Sequence, residues 1–271
     1  GEVLFLFLSG ASFYSLISVV CRPIKSIPAL MAVVLYVLGY PLNNMLFGFS
    51  YLGLAVTTIC VLVFACLTFS CFDRTVLPLS FISLLLLEVI TSYSLFAPVI
   101  FLSVFILLLR TFRNKGYRNG ISFLLSLIPF VAPVILGFFI VYSTYFIIGN
   151  NTVGSAIASE GGAFRDLYAG FIFIVPLAGY GFWSCWKEKV AGALILVTAL
   201  FVLFSLMLCC LCALQLVSTY YFYKTYYVLW LLFFANAVCG VHALQARSLP
   251  MLVCYALTWL IVALLAFSGL D

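Results

Sequence analysis

The chain has 271 residues, is 67% hydrophobic and 7% charged, and carries a formal net charge of +5. A soluble domain has about a quarter charged residues, so no fold in water could cover this much apolar surface. Apolar runs long enough to cross a bilayer recur from end to end, and their continuity excludes the alternating strands of an outer-membrane barrel. The composition therefore predicts an all-α, polytopic transmembrane helical bundle.

In chain order, about ten spans are expected near 3–20, 28–43, 49–69, 76–91, 95–110, 120–147, 167–183, 190–216, 224–243 and 249–268. The fourth and fifth are short and abut at EVITSYSLFAP, while the sixth and eighth are long enough to tilt. No internal repeat is evident. The sequence begins almost inside a span, at GEVLFLFLSGASFYSLISVV, without the basic start and cleavage site of a signal peptide, and stops just after one at LLAFSGLD. These features predict a single transmembrane domain over residues 1–271, cut from a longer chain.

Lys and Arg in short loops set orientation. With the start of the first span outside, Arg22, Lys25, Arg74, Arg110, Arg113, Lys115, Arg118, Lys187, Lys189 and Arg247 all fall inside, which is ten of the twelve basic residues. The positive charge is therefore cytoplasmic loop charge and not a nucleic-acid footprint. Arg165 and Lys224 break the pattern, since both fall on the outer face.

The outer segments hold most of the remaining polar chemistry. GYPLNNMLFGFSYLG has Gly and Pro punctuation and two adjacent amides, the signature of an ordered loop. Glu88 lies near the outer end of a short span, where a lone carboxylate is costly in lipid and is usually paired or functional. Tyr93 follows it. The loop from Gly149 to Asp166 carries Glu160, Arg165 and Asp166 with four glycines, and suits a re-entrant or interfacial segment. Arg165 and Asp166 could equally pair with each other on a wet loop.

The stretch STYYFYKTYYVLWLL, from Ser218 to Leu232, leads into the ninth span. At helical spacing Tyr220, Lys224 and Tyr227 share a face, with Tyr223 and Tyr226 beside it. A tyrosine belt and a lysine snorkelling to headgroups are the plain explanation. The alternative is a site for an anionic, partly apolar ligand. A lipid phosphate fits, because the ammonium meets its charge, the phenols donate hydrogen bonds and the rings line a sugar or an isoprenoid tail. The ten cysteines lie mostly in apolar runs without a companion His at metal-ligand spacing, so they read as packing residues, and His242 stands alone near the end of a span.

Many short-looped spans, polar chemistry on the outer face, the short pair before YSLFAP, and the segments EGGAFRDLYAGFIFIVPLAGYGFW and YYFYKTYYVLW together resemble the GT-C superfamily of integral membrane glycosyltransferases, in its uncharacterised bacterial members. The resemblance implies transfer of a sugar from a polyprenyl-phosphate donor to a cell-envelope acceptor, on the outer face of a bacterial plasma membrane. The family's acidic first-loop motif has no counterpart here beyond Glu2, so no catalytic base is assigned and the base is expected upstream of residue 1. On this reading Lys224 and Arg165 stabilise the departing phosphate, Tyr220, Tyr223 and Tyr227 line it, and Glu88, Glu160 or Asp166 orients the acceptor. The expected partners are the lipid bilayer and the lipid-linked sugar donor, with no nucleic acid. No cofactor is specified, though a divalent metal is compatible with the chemistry. A polysaccharide polymerase would use the same charges. A transporter or lipid flippase is the competing class, and would need polar residues at mid-membrane depth. A structural or assembly subunit with no site is the third possibility.

Overall fold

The computed structural model describes residues 2–21, 32–34, 36–37, 50–69, 76–114, 120–148, 170–188 and 191–245. Among these the regular structure is helical throughout, with no strand. The helices are α1 (Glu2–Val20), α2 (Ser50–Phe69), α3 (Val76–Ser92), α4 (Ala97–Asn114), α5 (Gly120–Tyr142), α6 (Gly170–Lys187), α7 (Gly192–Ala213) and α8 (Thr219–Gln245). A 3₁₀ turn (Ser94–Phe96) joins α3 to α4, and a π turn (Ser143–Ile148) extends α5.

Among the described residues three helices are long and apolar enough to cross a membrane: Tyr51–Thr68 in α2, Gly192–Ala213 in α7 and Thr219–Leu244 in α8. Shorter apolar helices at Leu4–Val20, Leu79–Ser92 and Ser94–Arg110 pack with them. Of the expected spans, 249–268 and most of 28–43 lie outside the described residues. Residues 32–34 and 36–37 are helical and press Tyr36 onto α1, its ring stacked on Phe13 at 4.3 Å.

α8 is the central element. From Lys224 to Val241 nearly every side chain is buried, and α6, α7, α1 and α2 pack around it. α5 instead leans on α3 and turns Ile135, Leu136, Phe138 and Phe139 outward. An all-round buried helix beside one with an exposed apolar face is the arrangement of a bundle whose outer solvent is lipid.

A close backbone approach joins α6 to α8. A Cβ on Gly181 would collide with the Asn236 carbonyl, and one on Gly240 would meet the Leu177 carbonyl at 2.6 Å. Small residues at such a crossing let two helices approach to backbone contact, a main source of association where apolar burial gives little. Along α1 and α2, Ser9 and Thr57 share a hydrogen bond of 2.8 Å. Near the Cys239 level, Cys21, just past α1, lies 3.6 Å from Cys239 between sulfurs, and Cys185 of α6 lies beside Cys239.

The helix ends sort into two groups. The carboxyl ends of α1, α6 and α8 are linked through these thiols, and the Arg110 guanidinium of α4 lies against Gly192 at the start of α7. This is the basic end. At the opposite, tyrosine end α7 runs into α8 through a short link. Gln215 sits in the left-handed region at φ 59°, Leu216 N–H donates to Leu211 at 2.9 Å and Gln215 N–H to Cys212 at 3.0 Å. That pairing closes the last turn of α7 as a Schellman motif.

Gly181→Ala is expected to destabilise the bundle by about 1–3 kcal/mol, because its methyl meets backbone that cannot yield. Gly179 is the control, since a methyl there would have nothing within 4 Å. Thermal unfolding of the two variants in the same detergent checks it: Gly179→Ala should unfold with the parent protein, Gly181→Ala below it.

Candidate functional site

The site lies in the first two turns of α8. The sequence places the start of this span at residue 224, but the helix begins at Thr219. Ser218 explains the difference. Its Oγ accepts from the Tyr220 N–H at 3.2 Å, and its carbonyl accepts from Tyr221 N–H at 3.2 Å, so it caps the helix five residues earlier than hydropathy alone suggests. Lys224 is therefore set inside the second turn and not at the tip of the span.

Lys224 is 0% exposed, within a bundle whose outer surface faces lipid. A long side chain on a helix leans toward the helix start, which here aims it at the tyrosine end. Its Nζ lies 4.7 Å from the ring centre of Tyr220. Lys187 makes the same kind of contact at the basic end, 5.3 Å above Trp183, yet both of its partners are exposed. Lys187 is thus an interfacial lysine on an aromatic ring. Lys224 is the same chemistry drawn into protein, where a cation over an aromatic face is worth about 2 kcal/mol against several tenths at a surface.

The sequence singles out Tyr220, Tyr223, Tyr227, Glu88, Glu160, Arg165 and Asp166 around this lysine. Tyr220 and Tyr223 are half-buried in its own turn and the one before. Tyr227 lies a turn deeper, buried and edge-on to Tyr226 at 5.7 Å, so it belongs to the packed core below the ammonium. Glu160, Arg165 and Asp166 lie outside the described residues, as does the rest of the Gly149–Asp166 loop. Glu88 is half-buried on α3, and both carboxylate oxygens are enclosed without a hydrogen-bond partner among the described residues. Ser92, one turn further on the same face, has its Oγ in the same condition. The carboxylate is thus shielded, although the neighbouring Leu84 and Thr91 are exposed.

One residue left out of the expected ligand set belongs here. Tyr93, in the turn between α3 and α4, lies beside the Tyr220 phenol, and Tyr221 is close by. Burial first, then the neighbouring phenols of Tyr220 and Tyr221, hold the Tyr93 hydroxyl well above its ordinary range, so it stays a neutral phenol. Its ring rests on Phe96 at 4.9 Å, and Phe96 meets Phe201 of α7 edge-on at 5.8 Å. Tyr93 appears in the sequence only as the residue after the EVITS stretch; its pairing with residue 220 spans 127 positions and has no local signature.

Below the lysine, the α7–α8 seam carries two buried polar pairs. Ser205 donates to Thr225 at 2.7 Å, and Asn236 Nδ2 donates to Thr198 at 3.0 Å and to the Leu232 carbonyl at 2.7 Å. Among the described residues no group of three His, Cys, Asp or Glu is arranged to hold a metal.

Fold and site together define an all-α membrane protein with a lysine enclosed beneath tyrosines at one end of its central helix. No protein-family model matches the chain, and no curated protein matches it.

The burial contrast sets an expected outcome. In the detergent-solubilised parent protein, acetic anhydride at low dose should acetylate Lys187 readily and leave Lys224 at least about tenfold less modified, read by peptide mass spectrometry. Equal modification of the two would mean that the ammonium of Lys224 reaches solvent.

Proposed function

We propose that this chain is part of a polytopic membrane enzyme of about ten spans, GT-C-like, that transfers a sugar from a polyprenyl-phosphate donor to a cell-envelope acceptor on the extracytoplasmic face of a bacterial plasma membrane. The tyrosine end is then the outer end, and the arginines and lysines at the other end face the cytoplasm. The observation that supports the reading is the complete burial of Lys224 under Tyr220. A snorkelling anchor keeps its ammonium in water or headgroups. An enclosed cation on the non-topological side has no orienting task, and its natural complement is an anion that brings its own apolar body.

In such a transfer the glycosidic bond to the phosphate breaks and negative charge develops on the departing phosphate oxygen. A cation in a water-poor setting stabilises that charge more than it stabilises the neutral bond. Lys224 fills this role in the proposal, and phenols of Tyr220 and Tyr223 supply hydrogen bonds to phosphate or sugar. Arg165 would add a second positive charge, and Glu88, Glu160 or Asp166 would orient the acceptor hydroxyl.

A lipid-phosphate flippase is the second reading. The buried pairs Ser205–Thr225 and Thr198–Asn236 favour it, since they put hydrogen-bonding groups along α8 beyond the lysine. A flippase would move labelled polyprenyl phosphate between leaflets without forming a new glycosidic bond.

The decisive comparison is Lys224→Ala against Lys224→Arg in the full-length protein at matched expression, scored by transfer from a polyprenyl-phosphate sugar. Loss of a charged hydrogen bond costs about 1.5–3 kcal/mol, so Ala should lower transfer by about one to two decades. Arg should keep part of it, because the charge survives while its shape changes. Unchanged transfer in the Ala variant would remove Lys224 from the site.

A further inference from the structure

α1 and the carboxyl-terminal part of α8 meet in two places. At the first, the ring of Phe13 lies 5.6 Å from the ring of Phe234. At the second, further along both helices, the Sγ of Cys21 lies 3.6 Å from the Sγ of Cys239. These two thiols are 218 positions apart in sequence, and their residues are 1% and 4% exposed.

Both thiols are anchored. Cys21 continues the hydrogen-bond pattern of α1, its N–H donating to the Ile17 carbonyl at 2.9 Å, and its S–H donates to the Cys239 sulfur. The Cys239 S–H donates to the Ala235 carbonyl at 3.1 Å, one turn back in α8. Cys239 also adjoins Gly240, where α8 and α6 come to backbone contact, so its side of the pair stands on a closely packed part of the bundle. A buried cysteine commonly serves as a small apolar filler, and one sulfur among carbons meets that need. Cys60 of α2 is such a residue, as deeply buried and with no second thiol against it among the described residues. At Cys21 and Cys239 sulfur instead faces sulfur at contact distance, and about 1.5 Å separates that contact from the length of a disulfide bond.

We propose that Cys21 and Cys239 form a reversible thiol–disulfide site, whose closure fastens α1 to the central helix beside the α6–α8 crossing. Its co-reactant is a small uncharged disulfide, able to pass through lipid to a pair enclosed in the bundle. One protein thiol displaces half of that disulfide, which leaves as a thiol with the proton, and a mixed disulfide remains on the protein. The second protein thiol, already in contact, displaces the other half in the same way. The protein thereby loses two hydrogens and two electrons, and the reagent is reduced to two thiols. The site does not depend on sugar transfer. Only its resting state rests on the orientation given above: at a cytoplasmic end the pair is held as two thiols until an oxidant arrives.

The probe is dipyridyl disulfide, added to the purified full chain in detergent. Digestion at acid pH and peptide mass spectrometry then read which sulfurs are joined. Cys21 should be joined to Cys239, while Cys60 stays free or carries the pyridylthio group. The same link should form in Cys185→Ser, which removes the other thiol beside Cys239. The linked parent protein should unfold about 5 °C above the reduced one, and a phosphine reductant should reverse the rise. Cys21→Ser should show no rise with the probe. Cys21 and Cys239 left unreacted, or carrying separate pyridylthio groups, overturns the site, as does Cys239 joined to Cys185 alone. A link from Cys60 to either residue would mean a rearranged bundle and also overturns it. A linked protein that unfolds at or below the temperature of the reduced one would show that the bond strains the bundle, and overturns the fastening.

Discussion

Everything at the tyrosine end depends on how closely two helices approach some distance below it. At Gly181 and Gly240 the backbones of α6 and α8 come within the space a single methyl would fill. In lipid, apolar side chains gain little by meeting each other rather than acyl chains, so contacts of this kind and interhelical hydrogen bonds decide which helix sits at the centre. With α6 against one side and α7, α1 and α2 on the others, α8 is closed in on all faces. Lys224 lies on the enclosed part of this helix. Its burial is a consequence of packing further along the same helix.

That enclosure sets the electrostatics. Transfer of an ammonium out of water is costly unless something replaces the hydration. The ring of Tyr220 replaces part of it, as Trp183 does for Lys187 in a far wetter place. The two lysines show how one local motif takes on two meanings. At the basic end lysine and ring are both exposed, and at the tyrosine end the lysine is enclosed in the bundle. Asn236 and Ser205 show the same principle in neutral form, each buried and each answered by a hydroxyl on the facing helix.

Much of this was legible in the sequence. The helical, membrane-embedded class followed from composition, and Lys224 stood out because the expected orientation separates it from ten of the twelve basic residues. The tyrosine face at residues 220, 224 and 227 came from helical spacing, and the short reversal at EVITSYSLFAP is where α3 turns into α4. The start of α8 was missed by five residues, because hydropathy falls where tyrosines and a lysine crowd the first turns, and the cap is a single serine hydroxyl. Tyr93 could not be paired with Tyr220 from sequence, since nothing local encodes a contact between distant turns. Nor could Gly181 and Gly240 be told from other glycines of the apolar runs: their requirement is the nearness of another backbone, which only the fold supplies.

The crossing of α6 and α8 also fixes a fulcrum. From Gly240 back to Tyr220 the helix runs twenty residues, about 30 Å at 1.5 Å per residue. A rigid rod pivoting at its far end converts a small angle into a large travel: a tilt of about 5° carries the Tyr220 end through about 2.6 Å. The length of α8 therefore makes its tyrosine end the part of the helix whose position answers most to the angle set at the glycine crossing.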